Sequence, residues 1–225
     1  MTAVFVSGSG TDVGKTFVCT GIIRHLRRLG RAVEALKPVV SGLVPSALAD
    51  SDPGALLAAL GRPLTMAEAE RISPWRFAAP LSPDMAAERE RRAIDFFELA
   101  AFCRQAIAGR REYLLIEGIG GIMVPLDSRH TILDLIAELR VPLLLVAGTY
   151  VGTISHTLTA LRVLAQRNLE IAALVVSESQ GSAATLDETV ATLARFSEQI
   201  DVIGIPRLAA PAQEHPAFAT IARLL

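Results

Sequence analysis

Apolar residues along this chain gather into short runs, most of them separated by stretches in which apolar residues recur at helical spacing. The runs that read as strands are Val4–Ser7, Ala32–Leu36, Tyr113–Glu117, Leu143–Ala147, Ala172–Ser177 and Val202–Ile205. After the first run, Phe17-Val18, Ile22-Ile23, Leu26 and Leu29 trace one face of a helix that Gly30 ends. Leu158, Leu161, Leu164 and Ala165 trace another helical face, and Pro142 precedes the fourth strand. Strands alternating with helices predict an α/β fold, a doubly wound and mostly parallel sheet with helices on both faces. At 225 residues it is expected to form a single domain, 1–225. The least regular parts are Leu43–Leu64, rich in Pro, Gly, Ala and Asp, and Glu88–Arg92, which reads as a solvated helix face.

Composition supports this picture. Hydrophobic residues make up 51% of the chain and aromatics only 5%, as suits a parallel sheet buried on both faces. The 22 basic and 23 acidic residues nearly cancel, so nothing points to a nucleic-acid partner or a membrane surface. The longest apolar run, Val141–Val151, is broken by Pro142, Gly148 and Tyr150 and falls well short of the ~20 residues that span a bilayer. Cys19 and Cys103 are isolated within helical patterns, and the chain enters a strand at once without a signal peptide. A cytoplasmic protein acting on small molecules is expected.

The sharpest chemical signal is Gly8-Ser-Gly-Thr-Asp-Val-Gly-Lys-Thr16, set between the first strand and the first helix. Glycines there let backbone N–H groups close around phosphate oxygens, and the helix start adds partial positive charge. Lys15 can reach the terminal phosphates and the Thr16 hydroxyl can ligate Mg²⁺. The loop is a variant, because the strict pattern needs glycine where this chain has Ser9.

In open parallel sheets ligands sit beyond the carboxyl ends of the strands, so the residues that follow each strand are the next candidates. Lys37-Pro-Val-Val-Ser41-Gly42 follows the second strand and is delivered to the same edge as the phosphate loop. The third strand ends in Glu117-Gly118-Ile119-Gly120-Gly121, a carboxylate that burial makes costly unless a cation meets it, followed by glycines that let a ligand approach. Glu117 is therefore a candidate Mg²⁺ ligand. Asp50 and Asp52 precede a helix, and either could ligate a metal or merely cap. Asp12, inside the loop, must point away from phosphate toward the ribose, the base or a neighbouring group. Thr149–His156 starts a helix after the fourth strand, and its N–H groups suit a carboxylate. His156 reads as structural, and neither a zinc cluster nor a Ser/His/Asp arrangement is visible.

Taken together these blocks resemble the dethiobiotin synthetase family. The likeness runs through the Gly8–Thr16 loop, Lys37-Pro-Val-Val-Ser-Gly, Phe77-Ala-Ala-Pro-Leu-Ser-Pro83 with Ala87-Glu88, Glu117–Gly121 with Pro125-Leu126, Val141–Gly148 and Gly204-Ile-Pro-Arg-Leu208. The resemblance implies a P-loop NTPase fold and a cyclo-ligase of biotin synthesis that converts 7,8-diaminononanoate, CO₂ and ATP to dethiobiotin, ADP and phosphate. It implies catalytic roles for Lys37, Lys15 and Thr11, and Mg²⁺ on Thr16, Asp52 and Glu117. Nucleotide contacts are implied at Asp12, Val13, Gly14, Lys15, Thr16, Phe17, Asp52, Glu117, Gly118, Gly120, Ser177, Pro206, Arg207 and Leu208. Ser41 is implied at the reacting group, and a homodimer would hold the substrate carboxylate near Thr153 and Ser155 of the other subunit. Two departures stand out: Gly10 where the family often has Asp, and Ser177-Glu178 where it has a base-reading Asn-Asp pair. Weak adenine selectivity, with other nucleoside triphosphates accepted, is the expectation. The competing reading is a partition or septum-positioning ATPase switch, which carries a signature lysine where this chain has Gly10.

Overall fold

The computed structural model describes residues 2–109, 112–197, 199–208 and 214–225. In chain order the elements are β1 (Thr2–Gly8), α1 (Lys15–Arg28), β2 (Val33–Leu36), β3 (Val39–Val40), α2 (Asp52–Leu60), α3 (Met66–Ile72), β4 (Trp75–Arg76), α4 (Pro83–Arg89) and α5 (Phe96–Gly109). They continue with β5 (Tyr113–Gly121), α6 (Ile132–Leu139), β6 (Leu143–Ala147), α7 (Thr153–Gln166), β7 (Ile171–Ser177), α8 (Leu186–Phe196), β8 (Val202–Ile205) and α9 (Pro216–Arg223).

Six of these strands form one sheet in the order β2-β5-β1-β6-β7-β8, and every neighbouring pair is parallel. The expected sheet is therefore present, with strand limits within a few residues of those read from the apolar runs. β6 is buried along its whole length and β1 along all but its first residue, as central strands covered on both faces must be. The order in which the chain adds strands reverses beside β1, the first strand and the one that feeds the phosphate loop, so the loop opens at the switch point of the topology.

Register carries the consequence for the site. β2 pairs Leu36 with Ile116, so Lys37, the first residue past β2, emerges beside Glu117, which lies inside β5 because that strand runs on to Gly121 instead of ending at Glu117 as the apolar run suggested. β1 pairs Val6 with Glu117, which sets that carboxylate next to the strand that leads into the phosphate loop.

Two expectations change. Leu43–Leu64 holds more order than its composition suggests: a 3₁₀ turn at Pro45–Asp50 leads into α2, with the Ser51 hydroxyl accepting from Gly54 N at 3.2 Å and Pro53 in the first turn. Gly54 is required there, because a Cβ would lie 1.9 Å from Leu48 O. The stretch Glu88–Arg92 is only partly a solvated face. Glu90 accepts from the Ala78 and Ala79 N–H groups, and the Arg92 guanidinium lies 4.6 Å from the Phe77 ring centroid, so both residues pin the loop that precedes α4. The small β3–β4 pair is an unexpected addition, each strand two residues long. Cys19 and Cys103 are buried free thiols. Among the described residues no helix is long and apolar enough to cross a membrane.

Candidate active site

The loop between β1 and α1 curls tightly. A Cβ on Gly8 would lie 2.8 Å from Gly10 O, and Gly14, at φ 93°, turns the chain into α1 in a left-handed conformation. Asp12 also lies at positive φ and is exposed. Lys15 is buried and donates to Gly10 O at 3.0 Å. Burial, reinforced by the nearby charge of Lys37, lowers its pKa to about 8.

Lys37, Glu117, Asp52 and Thr16 meet at one point. Lys37 Nζ lies 2.6 Å from Glu117 Oε1 and 2.8 Å from Asp52 Oδ2, and donates to Gly118 O at 3.1 Å. Lys37 and Glu117 are 2% and 1% exposed, so the charges are satisfied by one another rather than by water. Thr16 Oγ1 lies 2.8 Å from Asp52 Oδ1 and 2.7 Å from Glu117 Oε1, and its single proton can serve only one of them at a time. Burial by itself would lower the Lys37 pKa, but Glu117 and Asp52 outweigh it and hold the ammonium above the usual lysine range. Burial likewise pushes Asp52 up, and Lys37 with Thr16 brings it below the usual carboxylate range.

The two aspartates are placed differently, and Asp52 is the one that reaches the cluster. Ser51 is the N-cap of α2, so Asp52 falls in the first helical turn and turns inward, while Asp50 stays exposed in the preceding turn. Thr16, Asp52 and Glu117 present hard oxygen donors, the kind Mg²⁺ takes. Glu117 Oε2 is buried without a hydrogen-bond partner, which leaves a lone pair for a cation. The residues present fit the metal.

A cavity of about 740 Å³ opens above this cluster, lined by Thr11, Lys15, Thr16, Lys37, Ser41, Asp52 and Gly120 among others. A second, of about 590 Å³, shares Thr11, Asp12, Val13, Gly14 and Phe17 with it and extends to Ser177, Arg207 and Leu208. Most of the residues singled out in the sequence thus line two joined cavities on either side of the phosphate loop. Ser177 is buried, and its Oγ lies 2.6 Å from where a Cβ on Gly14 would stand, so the hydroxyl packs against the loop backbone.

Five expected contacts line neither cavity: Glu117, which is buried and meets Thr16 and Lys37 without reaching either wall, and four that lie elsewhere. Gly118 is backed by Phe5 and gives its carbonyl to Lys37, so it holds the lysine instead of lining either cavity. Pro206 follows β8 but is on neither wall. Thr153 is buried, with its hydroxyl donating to Gly148 O at 2.8 Å and its N–H to Tyr150 O at 3.0 Å, so both groups are used within the turn that starts α7. Ser155 is exposed on the first turn of α7 and lines neither cavity. His156 pairs with the Tyr150 hydroxyl at 2.9 Å, in keeping with a structural role.

The structure adds residues that sequence reasoning passed over. Pro80, Leu81, Ser82 and Pro83 also line the larger cavity, beside the Ser41–Gly42 turn, where Gly42 N donates to Ala79 O at 3.1 Å. Their proline-rich block is visible in the sequence, but nothing in it says which strand end it folds toward. Tyr150, Ser179 and Gln180 join the smaller cavity. Thr149 N donates to Ser179 Oγ at 3.0 Å and Ser179 N to Thr149 Oγ1 at 3.0 Å, which ties the turn after β6 to the loop after β7.

The parallel sheet, the loop at its switch point and the Lys–Thr pair at the start of α1 define a P-loop protein. Solved structures agree on the fold. The septum site-determining protein MinD complexed with Mg-ADP from Pyrococcus horikoshii superimposes with TM-score 0.58 at 16% identity over 98% of this chain and 94% of that one. A ParA family ATPase from Chlorobium tepidum gives 0.55 at 13% identity over 99% and 98%. A family model described as an AAA domain matches residues 2–214. Sequence comparison goes further. The ATP-dependent dethiobiotin synthetase of Acidiphilium cryptum is 47% identical over 87% of this chain and 88% of its own length. That of Caulobacter vibrioides strain NA1000 is 47% identical over 92% and 93%, and that of Phenylobacterium zucineum 45% over 98% and 93%. The chain belongs to the dethiobiotin synthetase family, as its motifs indicated. Its likeness to the septum-positioning and partition ATPases is one of fold.

Proposed function

We propose that residues 1–225 act as one domain, a cytoplasmic ATP-dependent ligase that closes the cyclic urea of dethiobiotin from 7,8-diaminononanoate and CO₂, releasing ADP and phosphate. Membership of the family supports the overall reaction. The observation that carries the assignment of residues is Lys37, a buried lysine with its charge fixed by two carboxylates at the mouth of the phosphate-loop cavity.

The chemistry follows from charge and position. One substrate amine adds to CO₂ and loses a proton, giving a carbamate. The γ-phosphoryl group moves from ATP to a carbamate oxygen, forming a mixed anhydride and ADP. The second amine then attacks the carbamate carbon, the C–O bond to phosphate breaks, and phosphate leaves as the urea closes. Every oxygen that gains charge here is anionic, so fixed cations and donors are what the site must supply. Lys15 and Lys37 hold the γ-phosphate and carbamate between them, and Thr11 and Ser41 donate hydrogen bonds to the reacting groups from the same cavity wall. With a pKa of about 8, Lys15 is still about nine-tenths protonated at pH 7. Thr16, Asp52 and Glu117 would hold Mg²⁺, which neutralises phosphate charge when bound. No protein nucleophile is required.

The nucleoside lies in the smaller cavity between Phe17 and Leu208, with Ser177 and Arg207 beside it. A homodimer brings the exposed Ser155 and the free N–H groups at the start of α7 to the carboxylate tail of substrate bound in the other subunit. The test is direct: the purified protein with diaminononanoate, bicarbonate, Mg²⁺ and ATP should yield dethiobiotin by mass spectrometry. Folded protein that hydrolyses ATP yet makes no dethiobiotin would overturn the reading.

A further inference from the structure

Phe17 lies in the first turn of α1 and lines both cavities beside the phosphate loop. Its ring meets that of Phe218, a residue of α9, edge to face, with centroids 5.8 Å apart and planes at 67°. Phe218 is 1% exposed and lines neither of those cavities. It reaches α1 through a notch at Gly21, where a Cβ would stand 2.2 Å from the Phe218 ring. Gly21 follows Phe17 by four residues, so notch and ring share one face of the helix. Glycine inside a helix is unfavourable relative to alanine, and here the missing Cβ is what admits the ring. α9 also packs against β8, whose end leads into Arg207 and Leu208 on the other side of the nucleoside cavity. Its start is fixed by His215, whose Nδ1 accepts from Ala217 N at 3.2 Å. A ring on the first turn of a helix can swing between rotamers, and an edge-to-face partner gives it one favoured plane.

We propose that Phe218 is a positioning residue for Phe17, holding its ring as a fixed wall of the nucleoside cavity, so that α9 sets nucleotide affinity without touching the nucleotide. The inference rests on the placement of the nucleoside beside Phe17 and adds the group that holds that wall. Titration calorimetry with two ligands, each with Mg²⁺, separates positioning from general support of the fold. Adenylyl imidodiphosphate carries the nucleoside, whereas tripolyphosphate engages the phosphate loop alone. Phe218→Leu keeps an apolar side chain but removes the ring. It should bind the nucleotide analogue about fivefold more weakly, the size of one aromatic pair, and tripolyphosphate within about twofold of the unmodified protein. Gly21→Ala keeps both rings in the chain, favours the helix and fills the notch, so it should show the same split and serves as the test should Phe218→Leu not fold. Thermal unfolding without nucleotide reports the fold of each variant. Phe17→Leu should itself weaken the analogue, and adding Phe218→Leu to it should cost no more than about a further twofold. Unchanged analogue affinity in folded Phe218→Leu or Gly21→Ala, equal losses for both ligands, or losses that multiply in the double variant would overturn the proposal. Phe17→Leu also separates the two levels. If it binds the analogue normally, the placement of the nucleoside itself fails; if it loses binding while Phe218→Leu and Gly21→Ala do not, only the role of Phe218 fails.

Discussion

Lys37 Nζ and Glu117 Oε1 lie 2.6 Å apart across 80 positions of sequence, almost wholly shielded from water. The register of β2 on β5 makes the pair, and the pair in turn fixes a positive charge at the edge of the phosphate-loop cavity. Removing Lys37 leaves Glu117 buried without its cation, which costs about 3–5 kcal/mol, whereas removing Glu117 leaves Lys37 still paired with Asp52 at 2.8 Å. Function and stability are therefore coupled at this point.

Lys37→Gln, which keeps a donor but no charge, should fold and should lower turnover by about two to three orders of magnitude, the usual effect of losing one well-placed electrostatic group, about 3–4 kcal/mol. Lys15→Ala should do the same without the stability cost, because Lys15 is bonded to a backbone carbonyl and not to a buried carboxylate. Steady-state rates beside thermal unfolding check both; near-normal turnover in either folded variant contradicts the assignment.

Glu117→Gln should raise the Mg²⁺ concentration needed for half-maximal rate by at least tenfold, a loss of about 1.4 kcal/mol. An unchanged Mg²⁺ titration in a folded variant would make Glu117 a purely structural partner of Lys37.

Lys15 gives a pH signature with a definite sign. Its pKa falls from 10.5 in the unfolded chain to about 8 in the fold. Between these values the unfolded state binds more protons, so this group's contribution makes the metal-free protein more stable as pH rises from about 8 toward 10.5 and less stable below. Binding runs the other way: above about pH 8 the ammonium is lost and nucleotide affinity should fall, whereas Lys15→Arg should flatten that fall. Calorimetric titration of an ATP analogue from pH 7 to 9.5 measures it, and equal slopes in the two proteins would refute the role given to Lys15.

The base should be read weakly. Ser177 spends its short side chain against Gly14, and a hydroxyl cannot offer the paired donor and acceptor that an amide can. The polar groups left in the nucleoside cavity include Gln180 and Arg207, which are exposed and joined by a 3.4 Å contact. ATP should therefore exceed CTP or GTP by about tenfold or less in kcat/KM, about 1.4 kcal/mol. Parallel assays with the four nucleotides decide it, and a thousandfold preference for ATP would show that other groups read the base.

Much of this was legible in the sequence because a parallel sheet writes itself plainly. Strands buried on both faces become apolar runs such as Leu143–Ala147, and the polar residues that interrupt them, Lys37 just past β2 and Glu117 within β5, meet where ligands bind. What the sequence withheld depends on distance in the chain. Nothing near Asp50 and Asp52 says which one faces the cavity; the Ser51 cap decides it by fixing where α2 begins. Nothing near Pro80–Pro83 says that this loop lines the cavity beside the Ser41–Gly42 turn, since Glu90 and Arg92 hold it there from beyond α4. Thr153 reads as a free donor in the sequence, yet its hydroxyl is spent on Gly148 O, a contact set by the tight turn after β6.

The central claim is that the γ-phosphoryl group passes to an oxygen that came from CO₂. Supplying C¹⁸O₂ with ATP, Mg²⁺ and diaminononanoate, and quenching before the label exchanges with water, measures this directly. One ¹⁸O in the released phosphate for each dethiobiotin formed is the predicted result, because the carbamate oxygen leaves with the phosphoryl group. Unlabelled phosphate accompanying labelled dethiobiotin would contradict it.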